Sequence, residues 1–361
     1  MMTTQTSTLH QAGVSLWLDN ITRSLLDDNI LQQYIENRNV TGLTSNPTIF
    51  DQAIASTGAY DTAIRKKLKS GKSDEDVFFE LAIEDLSRAA DLLKPVYQRS
   101  NSLDGWVSLE VSPLLAYDAA STLAEATRLH QQAGRDNLFI KIPGTPEGLI
   151  AIEEAIFTGI PINVTLLFSA EQYLAAAEAW LRGIDRRIDA GLRPDVRSVA
   201  SIFISRWDKA VMDTVPEELR NQLGVAVARR SYRTYREFLN SNSLQRAINF
   251  GVQPQRLLWA STGTKDPALP SGFYVDNLLA PFTINTMPEK TLLAYDDNGT
   301  PDLPLPADGG DADATILAFE DAGINYRQLA VTLQQEGAAS FVNSWKELLT
   351  TIKKIRETIS A

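Results

Sequence analysis

Cysteine is absent from the chain, which removes disulfides, thiolate metal sites and cysteine nucleophiles together. Histidine is nearly absent: His10 and His130 are the only 2, too few for a multi-histidine metal centre. Their polar neighbours place both on exposed helix or terminus. Positive charge is in deficit, with 34 Lys and Arg against 45 Asp and Glu and a net charge of −11. Such a surface disfavours nucleic acid and anionic membranes as general partners, but a local basic cluster can still hold a small anion. No stretch approaches the roughly 20 apolar residues of a membrane span. Residues 1–8 lack both the basic and the apolar part of a signal peptide. The expectation is a soluble cytoplasmic protein with residues 1–8 disordered.

What is present is ordinary globular composition: 361 residues, 44% hydrophobic and 22% charged, enough for one large core. Short apolar runs bounded by turn residues read as strands. They are Leu16–Leu18 ending in Asp19, Val40–Ser45, Trp106–Val111, Leu138–Ile142, Ile160–Phe168, Val196–Ile204, Arg256–Ser261 and, interrupted by Pro281, Leu278–Asn285. Helical periodicity fills the gaps. Asp74 reads as the N-cap of a helix that Pro95 stops, Ser169 and Gln172 as a capping box, Gly191 as a C′ residue, and 206–248 as a long helical region. Strands alternating with helices in this way predict a single α/β domain over 1–361, a (β/α)8 TIM barrel with additional helices. The Pro/Gly-rich stretch 286–313 reads as a loop or small insert. The last helix, with Phe341, Trp345, Leu348, Ile352 and Ile355 at helical spacing, is expected to pack near the barrel mouth.

Lys141 interrupts the apolar run Leu138–Ile142. A lysine is almost never fully buried without a partner, and one in a desolvated site can serve as an amine nucleophile. Polar residues also mark the ends of other strands: Asp19, Thr44 to Asn46, Glu110, Asn163 and Thr165, Ser201, and Ser261. A barrel strand should read as continuous Val, Ile and Leu, so repeated interruptions at ends that converge in space suggest a shared pocket. Each has a structural alternative. Asp19 can be a helix N-cap, Asn46 a turn former before Pro47, Glu110 and Lys141 an ion pair, and Asn163, Thr165 and Ser201 satisfied core polar groups. Arg206 and Lys265 can be surface cations, or phosphate ligands beside a Ser261–Thr264 anion nest. Together the residues have the parts of a Schiff-base enzyme, with an amine, two carboxylates for proton transfer and groups to hold sugar hydroxyls.

At these positions the sequence resembles transaldolase, of the class I aldolase superfamily. The resemblance rests on ordered motifs: Leu18-Asp19, Thr44-Ser-Asn-Pro-Thr48, Glu110-Val111 with Tyr117-Asp118, Lys141-x-x-x-Thr145-x-Glu147-Gly148, Asn163-Val-Thr-Leu-Leu-Phe-Ser169 and Ser201-x-Phe203-x-x-Arg206. It implies transfer of a dihydroxyacetone unit from sedoheptulose 7-phosphate to glyceraldehyde 3-phosphate in the pentose phosphate pathway, without metal or organic cofactor. It further implies that Lys141 forms the Schiff base and that Asp19 handles the proton of the hydroxyl beside the breaking bond. Glu110 and Thr165 would act through a water; Asn46, Asn163 and Ser201 would orient the dihydroxyacetone part, with Thr44 and Phe203 lining the site. Arg206 and Ser261 would bind phosphate. A second phosphate-binding arginine of many transaldolases is missing, and Lys265 is the candidate replacement, supplying charge without a bidentate fork. The chain beyond Asp276 is similar to the longer bacterial subgroup. Partners are expected to be small sugar phosphates, with neither nucleic acid nor membrane, and the chain a monomer or homodimer. The related fructose 6-phosphate aldolase is the nearest alternative; it carries glutamine and tyrosine where this chain has Glu110 and Phe203. A retaining glycosidase using Asp19 and Glu110, or a non-catalytic sugar-phosphate binder, would leave Lys141 without a task.

Overall fold

The apolar runs are buried on both faces, and the chain satisfies both by curling them into a cylinder wrapped in helices. A computed structural model describes residues 5–301 and 303–360. Its strands are β1 Val14–Asp19, β2 Val40–Thr44, β3 Trp106–Glu110, β4 Leu138–Pro143, β5 Ile162–Leu167, β6 Ser198–Phe203, β7 Arg256–Ala260 and β8 Thr283–Met287. They close in sequence order, each parallel to its neighbours, with β8 returning to β1. The expected (β/α)8 barrel is borne out.

The N-terminal end of the barrel is filled with rings and charge. Trp106 stacks on Phe139 at a centroid distance of 4.0 Å, and Trp17 lies 6.2 Å from the same ring. Gly42 in β2 makes room for Trp17, because a Cβ there would sit 2.4 Å from the indole. Beside them Arg256, at the start of β7, pairs with Asp104 at 3.2 Å. Its Nη2 donates to Ser15 Oγ and Thr283 O, and its Nη1 to Leu103 O. Asp104 also accepts from Ser15 Oγ and Trp17 Nε1.

Several element boundaries differ from expectation for identifiable reasons. The eighth strand begins at Thr283, beyond Pro281; the apolar Leu278–Ala280 is a buried connection. The helix Asp74–Arg99 takes Ser73 as its N-cap and continues through Pro95. Leu93 and Val96 hold it to the core while Pro95 faces water, which can satisfy the carbonyl that loses its partner. Residues 206–248 form no continuous helix; Ser205–Val211, Leu223–Leu239 and Asn242–Asn249 are separate, with Pro216 and left-handed Asn221 (φ 61°) between the first two. The stretch 286–313 is not simply a loop, since it holds the end of β8 and the helix Glu289–Asn298. Gln5–Gln11 is helical rather than disordered, anchored by buried Leu9 and a Thr6–Asp296 hydrogen bond of 2.7 Å; residues 1–4 lie outside the described residues. The closing helices are Ala312–Asp321 and Tyr326–Ser360. Among the described residues no helix is long and apolar enough to cross a membrane.

Candidate active site

Side chains alternate along a strand, so β4 sends Ile140 and Ile142 one way and Lys141 the other. Register then builds a row across three strands, Glu110 opposite Lys141 and Lys141 opposite Asn163, with Thr165 one step up opposite Pro143. The row opens into a cavity of about 650 Å³ at the C-terminal ends of the strands. Asp19, Thr44, Asn46, Lys141, Thr165, Ser201, Phe203, Arg206, Ser261 and Lys265 all line it. Glu110 and Asn163 do not; both are buried at its edge.

Lys141 is 5% exposed. Its Nζ donates to Ser45 O at 3.2 Å, lies 3.3 Å from Glu110 Oε2, and stands 5.6 Å from the centre of the Phe341 ring. The approach to Glu110 is an ion pair without hydrogen-bond alignment, and both Glu110 oxygens lack a hydrogen-bond partner within the protein. The buried Thr165 hydroxyl lacks one too. Burial pushes the Glu110 carboxyl above the usual range, against the pull of Lys141. Asp19 is raised in the same way; Lys141, a hydrogen bond from Thr44, and Lys265 oppose the shift. Asn163 is partnered at both ends: its Nδ2 donates to Ser108 Oγ at 3.1 Å and its Oδ1 accepts from Ser201 Oγ at 2.7 Å. Asn46 caps the helix Pro47–Thr57, its Oδ1 accepting from Ile49 N at 3.1 Å. Asn46, read as a turn former, is thus a helix N-cap whose amide remains beside the cavity, while Asp19, read as a possible N-cap, leaves that task to Thr22.

One side of the cavity is cationic. Arg206 rides on the short helix Ser205–Val211 with its guanidinium 5.2 Å from the centre of the Phe203 ring. Burial lowers the Arg206 pKa, opposed by Glu336. Lys265 is lowered by burial and then by the charges of Arg206 and Lys209. Like charges held together and part-desolvated call for an anion between them. Ser261 adopts a left-handed conformation (φ 56°) and its Oγ lies 2.9 Å from Ser205 Oγ. Such a kink turns successive backbone N–H groups toward one point.

Some residues at the site carry no local sequence signal. Thr286 of β8 lines the cavity and touches Thr44. Glu289 at the rim accepts from Asn20 and Tyr34, and with burial pushes the Tyr34 hydroxyl up to about 12. Gln334, in the Tyr326–Ser360 helix, donates to Gly144 O at 3.0 Å and Leu166 O at 2.9 Å. Those carbonyls belong to the turn after the lysine strand and to the bulge in β5, where Leu166 has φ 58°. The last helix therefore both packs on the barrel and covers its mouth. His10 is exposed as expected, whereas His130 is half-buried and its pKa lowered by that burial.

Fold and site define a (β/α)8-barrel enzyme whose pocket lies at the C-terminal face. A profile of the family described as Transaldolase/Fructose-6-phosphate aldolase matches residues 16–352. A protein of Arthrobacter sp. (strain FB24) named Transaldolase is 42% identical, over 98% of this chain and 97% of its own. One of Thermobifida fusca (strain YX) with the same name is 44% identical, over 95% and 96%. A Transaldolase 2 of Nostoc punctiforme is 37% identical, over 98% of both chains. The chain belongs to the transaldolase/fructose-6-phosphate aldolase family.

Proposed function

We propose that the chain is a transaldolase that transfers a dihydroxyacetone unit from sedoheptulose 7-phosphate to glyceraldehyde 3-phosphate through a Schiff base on Lys141, acting in the cytoplasm on small sugar phosphates. The observation that carries this reading is the placement of the Lys141 amine in a polar cavity, 3.3 Å from Glu110 and close enough to Asp19 to act on its charge.

The amine adds to the C2 carbonyl of the ketose and water leaves, giving an iminium. Glu110 and Thr165 offer buried oxygens that lack protein partners, suited to handling the protons of that step through a water. The iminium then draws the electron pair of the C3–C4 bond as the bond breaks, Asp19 takes the C4 hydroxyl proton, and an aldose phosphate departs. The remaining enamine adds to the acceptor aldehyde by the reverse sequence, and hydrolysis frees fructose 6-phosphate. Asn46, Asn163 and Ser201, the last two hydrogen-bonded to each other, orient the dihydroxyacetone hydroxyls, between Thr44 and Phe203. Arg206, Lys265 and the Ser261 loop take the phosphate; Lys265 supplies charge where a second arginine would supply a fork.

Borohydride reduction with fructose 6-phosphate should leave a three-carbon adduct on the peptide containing Lys141, read by mass. Absence of the adduct together with activity in Lys141→Met would exclude the reading. Transfer to erythrose 4-phosphate is the expected reaction; release of free dihydroxyacetone would instead make the chain an aldolase.

A further inference from the structure

We propose that Thr286 is a positioning residue: it fixes the direction in which Thr44 donates and so holds Asp19 as the proton acceptor of the cleavage step, an inference that rests on the acid/base role given to Asp19 above. Thr44 Oγ1 donates to Asp19 Oδ1 at 2.8 Å, and the Thr44 and Thr286 hydroxyls lie 2.6 Å apart. A hydroxyl carries one proton. With that of Thr44 committed to the carboxylate, only the Thr286 proton can fill the second contact. The order is therefore Thr286 to Thr44 to Asp19, each bond polarising the next.

Thr286 is itself fixed. It is buried in β8 opposite Trp17 of β1. The fully buried Thr262 hydroxyl lies 2.9 Å from Asn285 Oδ1 and 3.2 Å from Thr286 O, sharing its one proton between them and tying the end of β8 to the loop after β7. The Thr286 hydroxyl can also accept, so the chain can reverse when Asp19 takes the C4 proton. The charged groups that act on this centre are Lys141 from β4, Lys265 from the loop after β7, and Glu110 from β3. Arg206 and Glu289 line the same cavity. The two hydroxyls act differently from these charges: that of Thr44 bonds the carboxylate directly, and that of Thr286 acts through Thr44.

The test uses Thr286→Val and Thr286→Ser in the full chain, with fructose 6-phosphate as donor and erythrose 4-phosphate as acceptor for turnover, and fructose 6-phosphate alone for trapping. In Thr286→Val, kcat should fall about five-fold, the effect of one hydrogen bond, with KM nearly unchanged. The acid limb of the kcat profile should move to higher pH. Borohydride quenching at early times should trap more six-carbon relative to three-carbon adduct on Lys141, because addition proceeds while cleavage is slowed. Thr286→Ser should restore all of these. An unchanged profile and adduct ratio in Thr286→Val, or a loss that Thr286→Ser does not restore, would overturn the proposal. Thr286→Ala carries the same expectation if Thr286→Val does not fold. Failure to trap any adduct in the native protein removes the Schiff-base reading itself; an adduct in the native protein with an unaltered Thr286→Val removes only the role of Thr286.

Discussion

The barrel buries one ion pair at each end, and the two are built in opposite ways. At the N-terminal end, Arg256 and Asp104 are 5% and 8% exposed and nearly every polar atom of the pair is hydrogen-bonded. At the C-terminal end, Lys141 and Glu110 are buried to the same degree, 6% and 4%, yet both Glu110 oxygens lack hydrogen bonds. A buried pair stabilises a fold only when its remaining donors and acceptors are satisfied. The first pair comes close to that condition, with only the Arg256 Nε unpartnered, and joins β1, β7, β8 and the approach to β3. The second does not, and the surplus bonding capacity is what a substrate can use. Similar burial, similar distance and different satisfaction separate a structural pair from a reactive one.

The sharpest way to break this contrast is to remove one cation from each end. Lys141→Met should lower transfer activity by more than about a thousand-fold, the scale on which loss of a covalent nucleophile is felt, while the unfolding midpoint stays near that of the native protein. Arg256→Ala should do the reverse. It leaves Asp104 buried and uncompensated, at a cost of about 3–5 kcal/mol in denaturant unfolding, with kcat per folded molecule retained. Equal effects on stability would remove the distinction.

A smaller effect is expected at the phosphate end. Arg206→Ala should raise KM for phosphorylated substrates about 10- to 100-fold, as loss of charged hydrogen bonds predicts, with less change in kcat. An unchanged KM would place the phosphate elsewhere.

The smallest is a pH effect on stability. Because burial raises the Glu110 pKa in the folded state, the folded protein retains a proton that the unfolded chain has released. The stability gained this way is fully present below the ordinary glutamate value of 4.5 and is lost as pH rises through the elevated one. Glu110→Gln cannot release that proton, so its unfolding midpoint should gain on the native protein as pH rises from about 4.5. Parallel curves would show that Glu110 is not perturbed by folding.

The barrel was legible in the sequence because strands buried on both faces leave uninterrupted apolar runs, and the pocket was legible because polar residues break those runs at their ends. Both signals are local. The misplacement of β8 shows where they fail: Leu278–Ala280 is apolar because it is a buried connection, while the true strand carries the buried polar residues Thr283, Asn285 and Thr286. Glu110 and Asn163 were recognisable as site residues, but their positions at the edge of the cavity depend on register across strands. Gln334 gave no signal, since its partners Gly144 and Leu166 lie 190 and 168 residues away and nothing in a helical glutamine reports them.

The helix Tyr326–Ser360 also has a practical geometry. Phe341 covers Lys141 near its middle, and 19 residues separate it from the helix end at Ser360, about 28 Å at 1.5 Å per residue. The distal turns are fastened by Arg356, which donates to Asp74 Oδ1 at 2.9 Å and to Lys72 O. A probe carried on an exposed position of those distal turns would therefore stand about 28 Å along the helix from the residue that covers Lys141, far enough to report on the helix without entering the pocket.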